Sequence, residues 1–142
     1  YVLVGDAVVG HGGTLIKYIG DAVLAVFEKG EELNAAKAAL ETRERFAELS
    51  NSMGVGDITE IEAGIGSGEV AFGTFGHSSL LVTDLCGEPV SEVAMIMHHR
   101  GVAVTKEVHA AISSTMECNA LPGRQLKWRE EPLEQWEVIG PL

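Results

Sequence analysis

GTLIKYIGDAVLAVF, from Gly13 to Phe27, sets two runs rich in β-branched and aromatic residues on either side of Gly20-Asp21. That pattern reads as a β-hairpin whose two central residues make the reversal. Asp21 then stands fixed and exposed at the tip, four residues after Lys17. A carboxylate so placed is a natural ligand for a hard cation, because Mg²⁺ keeps most of its waters and takes one or two protein carboxylates together with substrate phosphates. A turn aspartate also has a purely conformational reading, since Asp tolerates the left-handed backbone of tight turns. The hairpin alone leaves both readings open.

Outward from it, Tyr1 to Gly10 reads as the tail of a helix. From about Asn34 to Leu49, the residues Ala35, Ala39, Thr42, Phe46 and Leu49 recur at intervals of four and three, the stripe of a helix that lies on a sheet. Ile61, Ala63 and Ile65 alternate with Glu60, Glu62 and Gly64, which predicts a strand with one buried face. Gly66-Ser67-Gly68 is expected to turn that strand into the next, Glu69 to Phe75, and a third runs from Ser79 to Leu85. Pro89 suits the first turn of the following helix and Thr105 the N-cap of the one after, while Pro122-Gly123 marks a loop before the closing strands. The order is helix, hairpin, helix, hairpin, helix, strand, helix, strand, an α+β chain with helices on one face of a largely antiparallel sheet. The GDAV echo at 5–8 and 20–23 falls in different elements and is read as chance.

A chain of 142 residues makes one domain, and 46% hydrophobic content is enough for a packed core. Apolar runs are broken by Gly, Asp or Lys well before the ~18 residues a membrane span needs, and the chain opens without a signal-peptide pattern, so the expected setting is cytoplasmic, with no membrane contact. The two cysteines, Cys86 and Cys118, fit neither a disulfide framework nor a CxxC metal pair and read as buried free thiols. The five histidines lack metal spacing; adjacent His98 and His99 would diverge by about 100° on a helix. A formal charge of −11, with ten Lys and Arg scattered among twenty-one acids, argues against a nucleic-acid partner, which requires a basic face.

HGGTLIKYIGDAVLAVF resembles the second-strand hairpin of the class III adenylate and guanylate cyclases, with Gly12-Gly13, Lys17, Gly20-Asp21 and Phe27 in place. AGIGSGEVAFGTFG, Ala63 to Gly76, resembles the family's paired strands with their glycine-rich join. TDLCGEPVSEVAMIMHH, Thr83 to His99, resembles its strand-turn-helix catalytic segment, GVAVTKEVHAAI its following strand and helix, and EPLEQWEVI a terminal strand. The likeness runs over nearly the whole chain in the family's order. It implies the ferredoxin-like palm of βαββαβ type and a single catalytic domain over residues 1–142. In the family, a strand ending in an aspartate-bearing turn, and a helix after it, precede the helix tail seen here. This chain is expected to lack both, with those residues lying upstream. Asp6, the only acid before Asp21, falls inside the predicted helix and fits the second ligand position poorly.

The resemblance implies a chemistry in which the 3′-hydroxyl of a nucleoside triphosphate attacks its own α-phosphate and expels pyrophosphate. Positioning and charge do the catalysis. Two Mg²⁺ or Mn²⁺ ions per site, held by two aspartates of which Asp21 is the one present, activate the hydroxyl and clamp the phosphates. Family sites lie between subunits, which implies a head-to-tail homodimer or pairing with another cyclase domain. Lys17 and Asp84 match the adenine-type base pair of positions, a donor for adenine N1 and an acceptor for its amine, making ATP the implied substrate. Such oriented hydrogen bonds discriminate strongly, because the wrong base leaves polar groups unpaired. Counting back from Gly87 puts Asp84 at the base-reading position and Cys86 two residues beyond it. On solvent-facing strands the same two residues are simply a surface lysine and a turn aspartate.

The helix after Gly87 departs from the family. It should carry an asparagine and, four residues on, an arginine on one face; here these are Ser91 and Met95. Serine can still hydrogen-bond, but methionine carries no charge, and losing a charge-stabilising group commonly costs ~3 kcal/mol, near a hundredfold in rate. His99, another four residues along the same face, is the candidate substitute, whereas Arg100 points about 140° from Met95. Three functions compete. They are an adenylate cyclase domain of reduced activity, an inactive homologue that binds ATP or dimerises to regulate an attached domain, and another phosphoryl-transfer enzyme on a similar palm. Against the last, the chain has no GxxxxGK[ST] loop and no kinase-like signature.

Overall fold

The run Gly101–Thr105, GVAVT, has every residue buried and alternates nothing polar with its valines. A strand of this kind must be covered on both faces. The computed structural model, which describes residues Tyr1–Leu142, provides that cover. In chain order the elements are α1 (Val2–Gly10), β1 (Thr14–Ile19), β2 (Ala22–Val26), α2 (Glu32–Ser52), β3 (Glu62–Ile65), β4 (Ala71–His77), β5 (Leu80–Cys86), α3 (Glu88–Ile96), β6 (Gly101–Thr105), α4 (Lys106–Ile112), β7 (Met116–Arg124) and β8 (Leu133–Pro141). Four of the strands form one sheet in the order β3-β6-β8-β7, with β3 parallel to β6 and the other pairs antiparallel. β1 and β2 form one antiparallel hairpin and β4 and β5 another.

Alternate residues of β6 feed two cores. Val102 and Val104 pack with Ala36 of α2, Val108 and Ile112 of α4, Met116 and Val138. Ala103 faces the other way, onto Ile96 of α3 with Leu126 and Leu133. The α+β palm class holds, but the helices lie on both faces of the sheet and not on one: α2 and α4 cover one side and α3 the other. The parallel β3/β6 pair is the consequence, because a crossover through α3 returns the chain in the same direction.

Several local expectations need correcting. Gly66-Ser67-Gly68 does not fold β3 back onto β4; β3 pairs only with β6, and β4 pairs with β5. The glycines instead make room for α3. A Cβ on Gly64 would lie 2.7 Å from the Val93 carbonyl oxygen, one on Gly66 2.8 Å from Val93 Cγ2, and one on Gly68 2.6 Å from Pro89 Cγ. Pro122-Gly123 lies inside β7, where the register with β8 shifts between Leu121 and Arg124. The buried face of α2 runs through Ala35, Ala36, Ala38 and Thr42 and leaves Leu49 exposed. The helix crosses a sheet and covers it for only part of its length. Thr105 caps α4 by position, but its hydroxyl makes no capping bond and is buried without a partner. Cys118 is half-buried, its thiol pushed up by burial, whereas Cys86 is exposed.

Candidate active site

Lys17 and Asp84 stand 67 residues apart in sequence, and the fold brings them into contact. On β1, Leu15 pairs with Ala25 but Lys17 with Leu24, so Ile16 is an extra residue and the strand bulges there. A bulge re-aims the side chain that follows it. Lys17 Nζ reaches Asp84 Oδ2 on β5 at 2.6 Å, and the Leu85 amide donates to Asp84 Oδ1 at 2.8 Å. The Lys17 ammonium, and behind it the Leu85 amide, hold the Asp84 carboxyl below the usual carboxylate range. The result is a cation and an anion, both half-buried, presented together between two hairpins. Each has hydrogen-bonding capacity left for a ligand.

Asp21 lies at the exposed tip of the β1–β2 hairpin. Gly20 takes the positive φ, +62°, and no non-glycine residue of the chain does. Tolerance of left-handed backbone is therefore not why an aspartate stands there. Tyr1 braces the tip: its hydroxyl donates to the Gly20 carbonyl and its ring packs on Tyr18, centroids 4.6 Å apart. Asp21 makes no ion pair or hydrogen bond, and no group of three His, Cys, Asp or Glu side chains gathers around it or elsewhere. One carboxylate fits a single corner of a Mg²⁺ or Mn²⁺ shell and does not complete a metal centre. Asp6, on α1, faces Arg45 of α2, with Oδ2 3.8 Å from Nη2.

α3 begins at Gly87, and Pro89 sits in its first turn. Ser91 is exposed and lines an open cleft of about 360 Å³ with Glu88 and Trp128. Met95 packs against the core under α3. His99 is not on that helical face. α3 ends at Ile96 with Met97 as C-cap, and the His99 ring turns toward β8, with Nε2 3.5 Å from Glu137 Oε2. At that length the contact is an ion pair only for a protonated ring and a poor hydrogen bond for a neutral one. The structure thus joins Lys17 to Asp84, keeps Ser91 and Met95 on one helix, and leaves Asp21 and His99 apart from both.

Close to the cleft in sequence, but not lining it, lies an ion pair that the sequence reading passed over. Glu92, next to Ser91, is buried and bonded to Arg129, next to Trp128. Arg129 is in the segment between β7 and β8, where LKWREE shows only as a mixed charge run with no period to place it.

No family model matches the chain. Among solved structures, the adenylyl cyclase CyaB from P. aeruginosa superposes with a TM-score of 0.85 at 17% identity, over 96% of this chain and 76% of that one. The guanylyl cyclase Cya2 superposes with a TM-score of 0.81 at 20% identity, over 97% and 75%. The fold is that of the class III nucleotide cyclase catalytic domain, and adenylyl and guanylyl cyclases share it. By sequence, the chain is 34% identical over 98 residues to an adenylate cyclase of Anabaena cylindrica. The aligned stretch covers 65% of this chain and about a fifth, 20%, of that protein.

Proposed function

We propose that the chain is a nucleotide cyclase catalytic domain of the adenylate type, converting ATP to 3′,5′-cyclic AMP and pyrophosphate. The observation that carries this reading is the Lys17–Asp84 contact, a donor and an acceptor from distant strands held at 2.6 Å on a cyclase palm. Adenine offers an acceptor at N1 beside a donor amine, and guanine offers the opposite edge, so a fixed ammonium–carboxylate pair matches the first and leaves polar groups unpaired against the second. The similarity to an adenylate cyclase of Anabaena cylindrica supports the same choice.

In the reaction, the ribose 3′-oxygen forms a bond to the α-phosphorus as the bond from that phosphorus to the β-bridging oxygen breaks. The hydroxyl proton passes to solvent water and pyrophosphate leaves. Lys17 and Asp84 hold the base, the Ser91 hydroxyl faces the cleft where ribose or phosphate oxygen would hydrogen-bond, and Asp21 contributes one ligand to Mg²⁺ or Mn²⁺. Bound divalent ions supply charge neutralisation on the phosphates and acidify the attacking hydroxyl. Asp21 bonds to neither Lys17 nor Asp84, which supports a reading in which a head-to-tail homodimer, or a pair with another cyclase domain, completes the site, one subunit supplying the metal carboxylate and the other reading the base.

The packing of uncharged Met95 into the core favours a second reading, an inactive homologue that binds ATP or dimerises for regulation. One assay separates them: cyclic AMP formed from ATP with Mn²⁺ or Mg²⁺, beside GTP and an Asp21→Ala variant. Product from ATP that falls at least a hundredfold in the variant supports the cyclase. Metal-dependent ATP binding without product leaves the regulatory reading standing.

A further inference from the structure

We propose that His99 is a positioning residue: with Glu137 it forms a clasp that fixes the end of α3 on the sheet, closed when the imidazole carries a proton. The effect on turnover rests on the nucleotide-cyclase reading of the site; the clasp itself does not. Three buried side-chain polar atoms of the chain have no hydrogen-bond partner, His99 Nε2, Thr105 Oγ1 and Gln135 Oε1. They lie along one seam. Thr105 pairs with Gln135, and Ala103 with Glu137, across β6 and β8, and residues directly opposite one another point to the same face. Ala103 packs on Ile96 of α3, and side chains alternate along a strand, so Thr105, Gln135 and Glu137 share the face that α3 covers. At the end of this seam His99 Nε2 stands 3.5 Å from Glu137 Oε2, the two side chains 30% and 24% exposed. A neutral ring gains little at that length, and its buried nitrogen stays unsatisfied. A protonated ring gains an ion pair that solvent screens only in part.

The ring is tied closely to the helix. The His99 amide donates to the Ile96 carbonyl at 3.2 Å and the Met97 amide to the Val93 carbonyl at 3.1 Å, and Ile96 is fully buried. Drawing the ring onto Glu137 therefore draws the last turn of α3 toward β8. Gly101 keeps the corner open for the carboxylate, since a Cβ there would lie 2.9 Å from Glu137 Oε1. The neighbouring charges do not replace His99. Arg43 of α2 has Nη1 3.6 Å from that same Cβ position but makes no ion pair. Arg100 turns to Glu60 at 3.8 Å, while His98 and Glu62 are exposed. On β3, glycines at 64 and 66 present α3 with backbone and no side chain to index it, so the clasp at one end of the helix sets its tilt. The other end carries Ser91, exposed on its cleft. Histidine gains its charge between about pH 5 and 8. A group favoured in its protonated form by folding contributes at low pH and loses that contribution as pH rises, the opposite sense to Asp84 and Glu41.

The test is a double-mutant cycle on the protein carrying this domain, with wild type, His99→Gln, Glu137→Gln and the double variant melted at about pH 5.5 and about pH 8, on either side of the histidine range. The expected result is a melting midpoint that departs from additivity by about 2 °C at the lower pH, the size of one partly exposed ion pair, and additive behaviour at the higher. Additive melts at both pH values, or the same coupling at both, overturn the clasp. Its positioning role is read from kcat and KM on Mn²⁺-ATP. The ratio of kcat at about pH 6 to kcat at about pH 8 should fall by about threefold in each single variant and no further in the double, with KM changing less than about twofold. Variants that couple in the melts but keep the wild-type ratio overturn the positioning role and leave the cyclase reading intact. Wild-type protein that forms no product sinks the cyclase reading instead. The role is then decided by hydrogen exchange at the amides of Met95 and Ile96: faster exchange in both single variants than in wild type at the lower pH alone supports it, and equal exchange overturns it.

Discussion

At the scale of single residues, the Lys17–Asp84 pair, to which the proposed function gives base recognition, is also an ion pair of the folded state. Its pKa direction gives a pH test. Asp84 is held below its unfolded value by Lys17 and the Leu85 amide, and Glu41 likewise by His11 and Arg45. A carboxylate depressed on folding stabilises fully above its unfolded pKa, and that contribution is lost as pH falls through the lower, folded value. Thermal melts should therefore show the midpoint falling as pH drops below about 4, where unperturbed Asp titrates. Asp84→Asn should have a lower midpoint at pH 7 and a shallower acid slope, the residual slope belonging to groups such as Glu41. An unchanged slope would mean that the ion pair contributes nothing in solution. That these two residues are candidates for base recognition was legible in the sequence. That they touch was not, because a bulge at Ile16 and the meeting of two separate hairpins bring them together.

At the scale of elements, α3 owes its position to what the strand beneath it lacks. The alternation of Ile61, Ala63 and Ile65 suggested a strand and the following glycines a turn, and the strand was found as β3. The glycines have a different use, since Gly64, Gly66 and Gly68 let Val93, Met97 and Pro89 approach the backbone. A Cβ at Gly64 meets carbonyl and amide atoms of α3, which cannot rotate away as a flexible side chain could. Gly64→Ala should cost about 1–3 kcal/mol, the usual range for overpacking a close contact, measured by urea denaturation. It should also lower activity more than its stability loss explains, because Ser91 moves with the helix. A neutral Gly64→Ala would show that α3 is not seated against β3. Placing His99 on the face of Ser91 and Met95 required α3 to run three residues past Ile96. Instead, Ile96 is the last residue that can bury itself against Ala103 and Leu133, and the chain must turn at Met97 to reach β6.

At the scale of the molecule, the β4–β5 hairpin stands apart from the four-stranded sheet, and Phe72, Leu80, Leu81 and Val82 on it are exposed. Under the two-subunit site proposed above, this ladder is the surface to test for self-association. Sedimentation should give a mass of twice 15.1 kDa at high protein concentration. Each copy carries −11, so association should strengthen with added salt, which screens the repulsion. Leu81→Glu should shift the protein to monomer and abolish product while far-UV circular dichroism stays unchanged. A dimer untouched by Leu81→Glu would move the interface elsewhere. No helix is long and apolar enough to cross a membrane, as the broken apolar runs suggested.

The sequence by itself determined the hairpin with Gly20-Asp21 at its tip, the alternating strand that ends at Ile65, the formal charge of −11, and the resemblance that names the palm. These are local patterns or sums, and periodicity, turn chemistry and charge report them directly. Only the tertiary structure decided that Lys17 meets Asp84, that α3 covers the sheet face opposite α2 and α4, that Met95 is packing, and that Arg129 stands on Glu92 beside Ser91. Each of those depends on which faces of distant segments come together. That choice is made by burying β6 from both sides, an energy belonging to the whole chain and to no stretch of it.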